Sequence, residues 1–345
     1  MALGRTVRRV AWPVVALALL AALILGRGAL DRITPGDSPS PTRSPASAGE
    51  GRRDLFILPD DGASVILDEL AEADRTIDVT VYLLTADYVV DALGIAVERG
   101  VRVRVILEPD PYGGGGDVEA DAAQLRALGA AVRFSGKDVR FNHIKTIVVD
   151  DRVALVSSVN LTGAGISGNR ELGVVSTEPD VVATAAALFA ADWAGEPFTD
   201  PSPLVVSPLN SRETAEGLIR SAERTIDVYA EVIRDEAVVG LLMDRSADGV
   251  AVRVIVPDEV APDDAEVYAE LGRSGVEVRT MGTPYQHAKM ILVDGERALI
   301  GSINWTATSM DQNREAGIVV GDALSTARLA AVFAGDWARG RTVSE

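Results

Sequence analysis

The sequence predicts an α/β protein whose body is one subdomain written twice, and three observations carry that expectation. Apolar runs of strand length alternate with helix-like stretches from residue 54 onward. Asp74-Arg75-Thr76-Ile77-Asp78 returns as Glu223-Arg224-Thr225-Ile226-Asp227, and Val103-Arg104-Val105-Ile106 returns as Val252-Arg253-Val254-Ile255, both 149 residues later. His143-Ile144-Lys145, Asn169-Arg170-Glu171 and Phe189-Ala190-Ala191-Asp192-Trp193 return as His287-Ala288-Lys289, Asn313-Arg314-Glu315 and Phe333-Ala334-Gly335-Asp336-Trp337, all 144 residues later. A period of that size is a subdomain rather than a solenoid unit.

The chain opens differently. Residues 10–26 are seventeen uncharged, almost wholly apolar positions between Arg9 and Arg27. As a helix they would reach about 26 Å, slightly short of a bilayer core, so residues 1–32 are expected to be a signal-anchor or a signal peptide. Leu25-Gly26-Arg27-Gly28-Ala29 is a poor signal-peptidase site, which favours the anchor, and the flanking arginines keep the N-terminus inside and the body outside the cell membrane. Secretion after cleavage is the alternative. Residues 33–53, rich in Pro, Ser, Thr and Gly, read as a spacer.

The first repeat is expected at 54–196, a linker at 197–208 and the second repeat at 209–345. The fall in offset from 149 to 144 lies between the Val-Arg-Val strand and the histidine, where the first repeat carries four glycines at 113–116, expected to form a plain loop rather than a lid.

Charge narrows the function. The chain has 33 Lys plus Arg against 51 Asp plus Glu and no cysteine, and residues 51–345 hold 27 basic and 48 acidic residues, a net −21. Disulfides and thiolate metal sites are excluded. A broad basic surface of the kind that grips nucleic acid by counterion release is disfavoured, though the arginines could still build a local groove. The surplus acids read as a solvated face.

The chemistry lies in the repeated motif. The only two histidines, His143 and His287, each stand two residues before one of only three lysines, Lys145 and Lys289. Each unit then runs on in the same spacing to Asp150 or Asp294, Ser158 or Ser302, and Asn160 or Asn304. On a strand, residues i and i+2 face the same way, so each His and its Lys project together. Two facing halves would bring two such pairs into one pocket.

This H-x-K-x4-D pattern followed by G/S-S-x-N, present twice across 55–340, resembles the paired motifs of the phospholipase D superfamily. Ser157, standing where the second motif has Gly301, is a small departure. The resemblance implies that each half is an α-β-α sandwich, that the halves meet at a pseudo-twofold interface, and that they share one active site needing no metal or other cofactor. It also implies His143 as nucleophile and His287 as acid, although the sequence is symmetric in the two. The residues suit that chemistry: lysines and asparagines for the phosphate oxygens, here with Ser158 and Ser302, and imidazoles that carry or release a proton near neutrality. Glu171 and Glu315, each 28 residues after its histidine, are expected to fix the imidazole tautomers. Asp150 and Asp294 read equally as catalytic residues and as turn formers. Trp193 and Trp337 are expected as packing anchors, while Trp305, where the first motif has Leu161, could line a leaving-group pocket.

The expected function is hydrolysis of phospholipid diesters through a phosphohistidine, by a monomer that meets the membrane through its N-terminal segment. The alternatives are transfer of the phosphatidyl group to an alcohol, as a cardiolipin synthase would perform, a nuclease using the same chemistry, and a phosphate-binding module without turnover.

Overall fold

The computed structural model describes residues 51–112 and 116–343. The apolar segment 10–26, the spacer up to residue 50 and three of the four loop glycines, 113–115, lie outside the described residues. Among the described residues no helix is long and apolar enough to cross a membrane.

The first half runs β1 (Arg53–Leu58), α1 (Ser64–Ala71), β2 (Thr76–Val81), α2 (Asp87–Glu98), β3 (Arg102–Leu107), α3 (Val118–Ala127), β4 (Ala131–Phe134), β5 (Lys145–Val149), β6 (Val153–Ser157), α4 (Gly163–Ser167), β7 (Asn169–Ser176) and α5 (Pro179–Ala194). The second runs β8 (Leu204–Ser207), α6 (Ser211–Arg220), β9 (Thr225–Tyr229), α7 (Glu236–Ala247), β10 (Ala251–Pro257), α8 (Pro262–Arg273), β11 (Glu277–Met281), β12 (Tyr285–Gln286), β13 (Met290–Val293), β14 (Arg297–Gly301), α9 (Ala307–Asp311), β15 (Glu315–Val320), α10 (Ala323–Arg339) and β16 (Arg341–Thr342).

The two sheets have one topology. The first is ordered β1-β7-β6-β5-β2-β3-β4; the second, read the same way, is β8-β15-β14-β13-β9-β10-β11 with β16 added at the edge. In both, the two pairings nearest the β4 or β11 edge are parallel and the rest of the shared path antiparallel. Strand β8 falls inside the expected linker 197–208 because it is the counterpart of β1: it pairs with β15 as β1 pairs with β7.

Three apolar cores follow from strands buried on both faces. Ile77, Val79, Ile147 and Val149 pack with Leu70, Leu93 and Leu125 of α1, α2 and α3. Ile226, Val228, Ile291 and Val293 pack with Ile219, Leu242 and Leu271 of α6, α7 and α8. Between the sheets, Ile57, Val148, Val156 and Val174 share one core with Met290, Leu292, Ile300 and Ile318, together with Leu188 of α5 and Phe333 of α10. Each sheet thus carries helices on both faces, and the inner layer belongs to both halves.

The repeated strings mark that inner layer. Asp78 accepts two hydrogen bonds from Arg104, at 2.7 and 2.6 Å, and the Arg104 guanidinium lies over Phe189 and Trp193 at 4.8 and 5.4 Å. Asp227 takes Arg253 at 2.8 Å, and Arg253 lies over Phe333 and Trp337 at 5.2 and 5.5 Å. Both tryptophans therefore pack, as expected.

Other repeated residues clamp half to half. Arg170 of the first half donates to Asp336 of the second at 2.7 and 3.1 Å, and Arg314 of the second lies 2.9 Å from Asp192 of the first. Strand β12 pairs with the start of β7, and Asn142 bridges Arg314 in the reciprocal place. Reciprocal contacts of this kind are what a pseudo-twofold relation produces.

Candidate active site

Each histidine stands just before a buried strand, at the seam between the halves. His143 N–H donates to the Arg314 carbonyl at 2.8 Å, and His287 N–H reaches the Arg170 carbonyl at 3.3 Å. The side chains cross over in the same way. His143 Nδ1 lies 2.8 Å from Glu315 Oε2, and His287 Nδ1 lies 2.7 Å from Glu171 Oε1, the latter an ion-pair distance without hydrogen-bond alignment. Each histidine thus meets the carboxylate of the opposite half, not the one 28 residues after it in its own.

Both carboxylates are fully buried. Glu315 accepts from Ser302 Oγ at 2.6 Å, Asn313 Nδ2 at 3.0 Å and the Ser309 hydroxyl. Burial would raise its pKa, but His143 and Lys145 beside it and these donors hold it below the ordinary carboxylate range. An ionised Glu315 fixes the proton of a neutral His143 on Nδ1 and leaves the Nε2 lone pair free. Burial is also the main force lowering the His143 pKa; Glu315 opposes it, while Lys145 and Lys289 add to it. Glu171 accepts from Ser158 Oγ at 2.5 Å and Asn169 Nδ2 at 3.2 Å.

The lysines are almost completely buried. Lys145 Nζ donates to the His143 carbonyl at 2.7 Å and sits 5.1 Å from the centre of the Tyr82 ring. Lys289 Nζ donates to the His287 carbonyl at 2.6 Å and pairs with Glu231 Oε2 at 2.6 Å. Burial pushes the Lys145 ammonium down to about 7, against the pull of Glu315 and with the repulsion of Lys289. The two motifs therefore lie within electrostatic reach of one another. The carbonyl oxygens of Asn160 and Asn304 are buried without a partner, and Asn304 Nδ2 donates to Glu231 at 3.1 Å.

Three further expectations need correction. Ser158 and Ser302, expected on the phosphate, are wholly buried and give their hydroxyls to Glu171 and Glu315. Trp305 lines no leaving-group pocket: it is buried in the outer core of the second half, its indole N–H donating to the Tyr229 carbonyl at 2.9 Å. Asp150 and Asp294 are structural. Asp150 sits at φ 56 past the end of β5, at the opposite end of that strand from His143, and accepts from the backbone N–H groups of Asp74, Arg75 and Thr76 at 2.7–2.9 Å. Asp294 does the same for Glu223, Arg224 and Thr225. That explains why the motif's aspartate and the Asp-Arg-Thr-Ile-Asp string recur together. Burial raises the Asp150 pKa, but these N–H groups and Arg152 outweigh it and hold the carboxyl at about 2. Asp150→Ala should therefore cost about 1–3 kcal/mol by orphaning those donors, and leave turnover per folded molecule unchanged. A denaturant melt beside an active-site titration checks both halves of that expectation.

Glu231 carried no signal of its own in the sequence. It occupies the position that Tyr82 holds in the first half, 149 residues earlier, and interrupts an apolar run that continues to Ile233. Only the paired repeat alignment would have pointed to it.

The family model for the cardiolipin synthase, PLD-like domain matches this chain twice, over residues 66–193 and 216–337. The chain belongs to the phospholipase D superfamily. Among its relatives, a cardiolipin synthase of Geobacillus kaustophilus is 28% identical over 301 residues, 73% of this chain and 59% of its own length. A mitochondrial cardiolipin hydrolase of Chlamydomonas reinhardtii is 32% identical over 131 residues, 38% of this chain and 56% of its own. The chain spans about three fifths of the length of the curated cardiolipin synthases it matches. The phosphatidylserine synthase structure of Haemophilus influenzae Rd KW20 shares the fold with a TM-score of 0.63 at 12% identity, over 84% of this chain and 86% of its own. Polyphosphate kinase of Porphyromonas gingivalis gives 0.64 at 20% identity, over 82% and 46%. The phospholipase D fold, two duplicated α/β halves, is thus shared well beyond one reaction.

Proposed function

We propose that this phospholipase D superfamily member transfers a phosphatidyl group from a phospholipid to an alcohol through a phosphohistidine, with hydrolysis as the outcome when water takes the alcohol's place. The observation that carries the reading is the crossed pairing of His143 with Glu315 and His287 with Glu171, which makes one catalytic unit out of two halves. Similarity to cardiolipin synthases favours transfer over the simple hydrolysis expected from the sequence. The net −21 of residues 51–345 supports a lipid over a nucleic-acid substrate, because a polyanion meets long-range repulsion.

In the first step Nε2 of neutral His143 attacks phosphorus while His287 protonates the departing alkoxide. Lys145, Lys289, Asn160 and Asn304 hold the non-bridging oxygens. His287 then takes the proton of the incoming alcohol, whose oxygen displaces His143. The test is to incubate the protein with phosphatidylglycerol vesicles, with and without a primary alcohol, beside plasmid and single-stranded DNA. A phosphatidyl alcohol is the expected product; salt-sensitive DNA cleavage without lipid turnover would make it a nuclease.

The buried lysine gives this reading a pH signature. The charge on Lys145 is lost as pH rises through about 7, so kcat/KM should fall on the alkaline side from there. The pKa of His143 is lowered from its ordinary value, so its lone pair is lost only on the acid side, below about 6.5. A profile of kcat/KM between pH 5 and 9, on a neutral-headgroup lipid, checks both limbs; a rate still rising through pH 8 would exclude the Lys145 role.

A further inference from the structure

The duplicated site is unsymmetric where Tyr82 and Glu231 face the two imidazoles. In the first half the ring of Tyr82 stands edge-on to His143, centroids 4.7 Å apart, and its hydroxyl is occupied in accepting the Tyr112 N–H at 2.5 Å. Among the described residues the only carboxylate paired with His143 is Glu315, on Nδ1, and Lys145 has no ion-pair partner. In the second half the matching position is Glu231. Its carboxylate takes Lys289 Nζ at 2.6 Å and Asn304 Nδ2 at 3.1 Å, and its Oε1 lies 3.4 Å from His287 Nε2. His287 therefore has a carboxylate against each ring nitrogen, Glu171 on one and Glu231 on the other.

A nucleophilic imidazole needs a bare Nε2, and a general acid needs a proton there. We propose that Glu231 is the positioning residue that breaks the symmetry of the duplicated site, holding a proton on His287 Nε2 and so leaving His143 as the nucleophile. At 3.4 Å the contact is too long for a strong hydrogen bond, so it biases where the proton resides without competing for it once a leaving oxygen approaches. The balance is then fixed. The His143 Nε2 electron pair forms the P–N bond, the P–O bond to the leaving alcohol breaks, and that oxygen takes the His287 proton. In the second step the acceptor alcohol returns a proton to His287 as its oxygen replaces nitrogen on phosphorus. Glu231 also takes one N–H donor each from Lys289 and Asn304, so Lys145 and Asn160 keep more donors for the phosphate.

This inference rests on the phosphohistidine reading, and one experiment separates the two. The full chain is mixed with short-chain phosphatidylglycerol, quenched in alkali and digested, and the phosphatidyl-histidine adduct is located by mass spectrometry. The natural protein should carry it on His143 alone. Glu231→Tyr, which copies the first half, should place it on both histidines, and the exchanged pair Tyr82→Glu with Glu231→Tyr should move it to His287. Glu231→Gln, which keeps the shape and removes the charge, should also expose a His287 adduct and serves if the larger changes do not fold. An adduct confined to His143 in every folded variant would overturn the role of Glu231 while leaving the covalent reading intact. Absence of any histidine adduct in the natural protein would overturn the covalent reading, and this inference with it.

Discussion

His143→Ala and His287→Ala should each remove turnover by roughly 10⁴–10⁶-fold, since residues that act as one unit lose nearly everything when either is removed. If the halves were two independent centres, each variant would keep about half the rate. The crossed geometry argues for one centre, because each imidazole is oriented by a carboxylate from the other half. Steady-state assays of both variants, with circular dichroism to confirm folding, decide it. The double variant should be no worse than either single one.

The second large effect is on stability. Asp336 is wholly buried and serves as counter-ion to Arg170, itself 1% exposed, while Tyr229 Oη donates to it at 2.5 Å. Asp336→Ala would leave buried Arg170 only the half-exposed Asp60 as counter-ion, so it should cost up to about 3–5 kcal/mol. In a protein of this size that lowers Tm by roughly 10 °C. The reciprocal pair at Arg314 and Asp192 is partly open to water, with side chains 13% and 11% exposed, so Asp192→Ala should cost less. Arg170→Met combined with Asp336→Leu should recover part of the loss, because no charge is then left alone in the seam. Thermal and denaturant melts of the four proteins give the ranking; equal losses at both clamps would show that burial is not what sets their strength.

What could be read from the sequence was whatever the repeat writes twice. The strings around Asp78, Arg104 and Phe189 recur because each makes the same contacts in its own half, and the His-x-Lys pairs recur because both serve one site. What could not be read was which copy a residue serves. Glu171 stands at the same spacing from His143 as Glu315 does from His287, so spacing assigns each to its own histidine; only the folded seam reveals the exchange. Ser158 and Ser302 misled for a related reason: a hydroxyl two residues before an asparagine looks available to phosphate until burial shows it spent on a carboxylate. Glu231 was hidden because its partner in the other half is a tyrosine, and a search for sameness passes over the position where the copies differ.

That difference has a historical meaning. Two identical chains meeting at a twofold axis must place the same residue at positions 82 and 231, since both are then one position of one gene. Joining the copies in a single chain frees each to change alone. The crossed clamps keep the copies interdependent, because the fully buried counter-ion of Arg170 and the ion-pair partner of Arg314 each come from the opposite half. A single chain can thus surround its two histidines differently, with a tyrosine ring beside one and a carboxylate beside the other, while the clamps still hold the two halves together as one body.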